Sequence, residues 1–99
     1  MITGPLCRAA RALTEISRDR LASASGVDAK IIEHFERQLE TPDNAVIDKL
    51  EDALEELGAV FIPEDTRGVG VRLKFTASET KRLSTLESEG GIVHSDDVP

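Results

Sequence analysis

Ser17-Arg18-Asp19-Arg20-Leu21-Ala22-Ser23-Ala24-Ser25-Gly26-Val27-Asp28-Ala29-Lys30-Ile31-Ile32-Glu33-His34-Phe35-Glu36-Arg37 holds two helix starts and one sharp stop in a single short stretch. Ser17 is a good N-cap, because its hydroxyl oxygen can accept from the free amides of a first turn, and Asp19 then faces the positive end of the helix dipole. Ile16 and Leu21 stand where a hydrophobic staple places its two apolar residues. The helix that begins at Arg18 must stop near Ser25, since Gly26 supplies the left-handed residue that a sharp turn needs. Asp28 caps a further helix over residues 29–37, with Ile31, Ile32 and Phe35 expected to face inward.

Two short helices joined by three or four residues with a glycine form the helix-turn-helix outline. Upstream, Pro5 suits a first helical turn, and Leu6, Ala9, Ala10 and Leu13 follow at helical spacing to Thr14 or Glu15. Downstream, Thr41-Pro42 reads as an N-cap with proline at the first helical position. Val46, Ile47, Leu50, Ala53, Leu54 and Leu57 then recur at three and four until Gly58. The opposite face of that helix carries Asp48, Glu51, Asp52, Glu55 and Glu56, read as a solvated face or as a protein-binding surface.

After Gly58 the texture changes. Ala59-Val60-Phe61-Ile62 and Val71-Arg72-Leu73-Lys74-Phe75 read as strands on either side of a turn-rich 63–70 stretch. A lone hairpin is marginal in water, so it has to pack on the helices or pair with another copy. Val60, Phe61, Ile62, Val71 and Leu73 are the candidate dimer contacts, with Val60, Ile62, Val71 and Leu73 expected to form an apolar alternation. Thr76-Ala77-Ser78-Glu79 has the form of a capping box that opens a weak helix to Ser88, and residues 90–99 have little to bury. The expected fold is mainly α. Residues 1–58 form a four-helix domain, 59–75 a two-stranded hairpin, and 76–99 a short helix and loose tail.

A chain of 99 residues, 39% apolar and 31% charged, is about one domain and excludes a large multi-domain enzyme. No run of 18 or more apolar residues spans a bilayer, and Arg8 and Arg11 sit among alanines where a secretory signal would be apolar. The sequence therefore reads as soluble and cytoplasmic. Cys7 is the single cysteine and cannot form an internal disulfide; with only His34 and His94 as further soft ligands, no metal or cofactor site is expected. A Gly-rich phosphate loop and a nucleophile with a base in reach are both missing, which argues against an enzyme.

The net charge of −7 is unevenly spread. Arg8, Arg11, Arg18, Arg20, Lys30 and Arg37 against Glu15, Asp19, Asp28, Glu33 and Glu36 leave the first 37 residues at +1. Residues 38–66 set Lys49 against Glu40, Asp43, Asp48, Glu51, Asp52, Glu55, Glu56, Glu64 and Asp65, for −8. An anion-binding surface has to lie in the first third, and it must work through a few placed contacts with a shallow salt dependence.

With its cap, its Leu21-Ala22 pair, its Gly26-Val27 turn, the apolar-x-x-apolar-Glu run of its next helix and the later Pro42, the quoted stretch resembles the Cro/lambda-repressor-like helix-turn-helix family, also called the XRE type. The resemblance covers residues 6–57 and implies a lambda-repressor-like bundle that binds operator DNA as a homodimer and regulates transcription. In that frame Ala29, Lys30, Glu33 and His34 form the base-reading face, and Ser17, Arg18, Asp28 and Arg37 lie at phosphates. Lys30 can donate to guanine, Glu33 can accept from cytosine, and the Ala29 methyl can touch thymine. Arg8, Arg11 and Ile31 are additional candidates.

Each assignment has a plainer competitor. Arg18 can be an ordinary exposed helix-start residue, Glu33 can pair with Lys30 or Arg37, Arg11 with Glu15, and His34 can be surface decoration. Cys7 reads as a small packing residue. Ile31 stands where relatives carry a small or polar residue, so it either packs inward or contacts a base. Gln38 replaces the glycine that often ends the third helix. The partners expected are double-stranded operator DNA, a second copy, and RNA polymerase or another regulator, with no membrane. The competing reading is a helix-turn-helix fold redeployed as a protein-binding module of the antitoxin or antiactivator kind.

Overall fold

Leu21, Ile32, Leu50 and Leu54 lose all contact with solvent, and they come from three different helices, the last two from the same one. The computed structural model describes residues 1–74. In chain order it has α1 (Gly4–Thr14), α2 (Arg18–Ser25), α3 (Ala29–Glu36), α4 (Asn44–Glu56), β1 (Ala59–Asp65) and β2 (Gly68–Leu73). The expected helix and tail after residue 75 lie outside the described residues. The result is a mostly helical domain of four helices with a two-stranded antiparallel hairpin. No helix among the described residues is long and apolar enough to cross a membrane.

The caps of α2 and α3 act where the sequence put them. Ser17 Oγ accepts from the Arg20 amide at 3.0 Å, and Asp28 Oδ1 accepts from the Lys30 amide at 2.8 Å. Gly26 closes α2 at φ 76°, in the left-handed region where glycine alone escapes a Cβ penalty. Gln38 reaches the same region at φ 59°, which lets the Leu39 amide return to the His34 carbonyl at 2.8 Å. A glutamine therefore performs the reversal that glycine would perform without strain.

Four expectations need correction. In α1 the buried positions are Gly4, Cys7, Ala10 and Thr14, while Leu6 is only half-buried and Leu13 is 39% exposed. The helix turns its small residues inward because it lies close to α3: a Cβ on Gly4 would collide with the Phe35 carbonyl oxygen and lie 2.9 Å from its carbon. In α3, Ile32, Phe35 and Glu36 are buried, whereas Ile31 points outward and is 42% exposed. Helix α4 begins at Asn44, with Asp43 as its N-cap residue and no side-chain capping bond. Thr41-Pro42 stays in the connection, and the Asp43 carbonyl takes the first amides, those of Val46 and Ile47, each at 3.1 Å.

The hairpin is the fourth. Its strands extend further into the turn region than expected, and Arg67 donates its amide to Asp65 Oδ1 at 2.7 Å across a two-residue turn. The register pairs Ala59 with Leu73, Val60 with Arg72, Phe61 with Val71 and Ile62 with Gly70. Directly opposed residues share a face. Phe61 and Val71 pack against the helical core, and Ala59 is buried, so Ala59, Phe61, Val71 and Leu73 form the inner face. Val60 and Ile62 lie on the other. The expected apolar alternation of Val60, Ile62, Val71 and Leu73 is thus divided between two faces.

Two backbone positions carry opposite predictions for urea unfolding. Gly4→Ala should lower stability by about 3 kcal/mol, because backbone meets backbone and neither side can yield. Gln38→Gly should raise it by about 1 kcal/mol by removing a left-handed non-glycine residue. An unchanged midpoint for Gly4→Ala would contradict the close approach of α1 and α3.

Candidate nucleic-acid interface

The geometry of the face formed by α2 and α3 is set from behind by Glu36. Its side chain has no solvent exposure, and it occupies the phase of α3 that Ile32 and Phe35 also fill. Arg11 grips it with two parallel bonds, Nε to Oε2 at 2.7 Å and Nη2 to Oε1 at 2.8 Å. Arg18 adds Nε to Oε1 at 3.0 Å, and the Cys7 thiol donates to Oε2 at 3.3 Å. Arg11 also donates from Nη1 to the Ile16 carbonyl at 3.1 Å while its own carbonyl accepts the Ile16 amide. One carboxylate therefore ties α1, the α1–α2 turn and the first residue of α2 to the end of α3.

The ionisation follows from that arrangement. Burial by itself pushes the Glu36 carboxyl up, but the hydrogen bonds from Arg11 and Cys7 and the charge on Arg11 reverse this, and the net shift is down. Arg11 is held more firmly protonated by its bond to Glu36. The Cys7 thiol goes far up, first from burial and then from the facing Glu36 charge, so it stays a protonated donor. It packs in the core as a small residue and also serves the carboxylate.

On the solvent side, a groove of about 410 Å³ is lined by Arg11, Ser17, Arg18, Asp19, Ala29, Lys30 and Glu33. Beside it a cleft of about 220 Å³ is lined by Lys30, Ile31, His34, Glu40, Thr41 and Pro42. Lys30 is exposed and borders both. Glu33 Oε2 accepts from Arg37 Nη1 at 2.8 Å, the i,i+4 pairing, and this bond lowers the Glu33 carboxyl below its usual range. His34 Nδ1 lies 3.0 Å from Glu40 Oε1.

The structure thus brings together Arg18, Ser17, Ala29, Lys30, Glu33 and His34 along one surface, with Arg37 at its far end. Ser17 and Asp28 spend their side-chain oxygens on helix caps. Arg8 is exposed on α1 and lines neither groove. Arg11 pairs with Glu36 and not with Glu15, since the left-handed turn at Glu15 directs the chain away while Glu36 offers a buried carboxylate. Sequence reading missed Glu36. Its signal was a charge on the buried phase of an amphipathic helix, one residue after Phe35, with arginines spaced along the preceding helices.

Among the described residues no group of three or more His, Cys, Asp or Glu is placed to hold a metal ion. In comparisons with known proteins, no family model and no curated relative matches the chain.

Because the folded Glu36 carboxyl lies below its unfolded value of about 4.3, its contribution is present above that pH and is lost as pH falls through the folded value. Glu36→Gln leaves both arginines without their counter-charge and should cost about 3 kcal/mol at pH 7 in urea melts. The gap between the two proteins should narrow below about pH 4. A gap independent of pH would mean that Glu36 is not ionised in the fold.

Proposed function

We propose that this chain is a sequence-specific DNA-binding transcriptional regulator, acting as a repressor, that lays α3 in the major groove with α2 across the backbone. The observation that carries the reading is the outer face of α3, which no other element among the described residues covers, held by Glu36 at a fixed position against the capped start of α2. In a helix-turn-helix this is where the recognition helix meets base edges and the preceding helix meets phosphates.

The side-chain bonds leave matching groups for DNA. Lys30 is exposed, borders both grooves and can donate to guanine O6 or N7. His34 keeps Nε2 for a base edge because Glu40 takes Nδ1, and Glu33 keeps Oε1 for cytosine N4 because Arg37 takes Oε2. The Ala29 methyl lies in the same groove. Arg18 spends only Nε on Glu36 and is 37% exposed on its side chain, so its Nη groups can turn to a phosphate. Arg37 reaches the backbone at the end of α3.

A homodimer on a pseudo-palindromic operator follows the same reading. The hairpin is a sheet of only two strands, and its outer face offers Val60 and Ile62, the latter 41% exposed, for a two-fold contact. Phe61, Val71 and Leu73 serve the inner face.

A second reading, a protein-binding module, draws on one observation. On α4 the Glu55 carboxyl is raised, first by burial and then by crowding from Glu51 and Asp52. A cationic protein surface would relieve that crowding. Selection from a random-sequence duplex pool at about 100 mM salt, where phosphate contacts are partly screened, separates the two readings. The DNA reading predicts an inverted repeat with half-sites about 10 bp apart, lost for Lys30→Glu. No motif, and the same outcome for both proteins, would overturn it in favour of the acidic face.

A further inference from the structure

Ile31 is the large apolar side chain on the outward side of α3. Burial in the core would remove it from water, yet the helix turns Ile32 and Phe35 inward and leaves Ile31 42% exposed. It lines the small cleft with Thr41 and Pro42, while Lys30, His34 and Glu40 supply the polar rim. At about 220 Å³ the cleft is smaller than the pockets that enclose whole small-molecule ligands, and its Ile31 side chain with a polar rim suits an apolar group flanked by hydrogen-bonding partners.

We propose that Ile31 is a specificity-determining residue that seats the C5 methyl of a thymine in the major groove; the inference rests on the DNA-binding reading above. Of the groups that base pairs present in that groove, the thymine methyl is the apolar one, and every other feature is a donor or an acceptor. An isoleucine cannot satisfy a donor or acceptor and would bury it at a cost, so its neighbour on the DNA is selected for a methyl. Lys30, one residue earlier and bordering the same cleft, fits the guanine or phosphate beside it. The hydrogen bond between His34 and Glu40 holds the opposite wall. The half-site should therefore contain a thymine whose methyl matters, at a position set by Ile31 and not by Ala29, which lies in the other groove.

The duplex selected by the full chain is remade with uracil in place of thymine at one position at a time, the same position in both half-sites, which removes only that methyl group; the position of largest effect is the uracil duplex on which binding is measured for the natural protein, Ile31→Ala and Lys30→Ala. Loss of one methyl contact weakens binding by about fourfold, so a dimer that loses one in each half-site weakens by about sixteenfold. The natural protein should lose that factor on the uracil duplex. Ile31→Ala should bind both duplexes alike, at the level of natural protein on uracil. Lys30→Ala should weaken both and keep the ratio. Equal binding of the natural protein to both duplexes, or a ratio that survives Ile31→Ala, overturns the assignment while leaving DNA binding intact. Failure to select any duplex overturns the DNA reading itself, and this inference with it. Thermal melts of both variants establish that each is folded, and equal binding of the natural protein to thymine and uracil duplexes overturns the assignment without either variant.

Discussion

The arrangement of this domain depends on one buried carboxylate. Glu36 takes two bonds from Arg11, one from Arg18 and one from Cys7, which places a single anion between two guanidinium groups at the junction of three helices. A buried ion pair gives little net stability, because desolvation consumes much of the Coulombic gain. Its value lies in geometry. Arginine's planar fork accepts few orientations, so a bidentate grip fixes the angle at which α1 meets the end of α3, and the Arg18 bond fixes where α2 begins.

Packing agrees with that constraint. Gly4 brings the start of α1 against the Phe35 carbonyl, one residue before Glu36, and Cys7 and Ala10 follow as small residues with no exposure. A leucine at any of these sites would hold α1 away and lengthen the Arg11 bonds. With the inner surfaces of α1, α2 and α3 consumed in this way, the polar side of α3 is left outward between two grooves that share Lys30. Charge follows the same division. Arg11 and Arg18 gather around Glu36, Lys30 and Arg37 lie at α3, and most of the acidic block lies on α4 and β1.

Much of the local structure was legible in the sequence because it is set by local chemistry. Ser17, Gly26 and Asp28 each mark a helix boundary through a cap or a left-handed turn, and the limits of α2 followed from them alone. Thr41-Pro42 misled for the converse reason: a cap motif states where a helix can begin, while the core contacts of Ile47 and Leu50 decide where it does. The orientation of α1 was hidden because small residues signal burial weakly, and Leu6 and Leu13 draw attention to the wrong side. The division of Val60 and Ile62 from Phe61 and Val71 needed the strand register, which depends on the turn at Thr66-Arg67. On the candidate site, Ala29, Lys30, Glu33 and His34 came from the resemblance to the helix-turn-helix family, carried over position by position. The bonds that hold Arg11 and Arg18 could not, since their partner lies 25 and 18 residues away.

On the proposed reading, the surface of α2 and α3 held by Glu36 is the one that meets DNA. Amide chemical-shift mapping of the full chain during titration with its selected duplex tests it most directly. The largest changes should fall at residues 17–20 and 29–37, with residues 48–56 unmoved. Changes centred on residues 48–56 instead, with α3 unaffected, would contradict it.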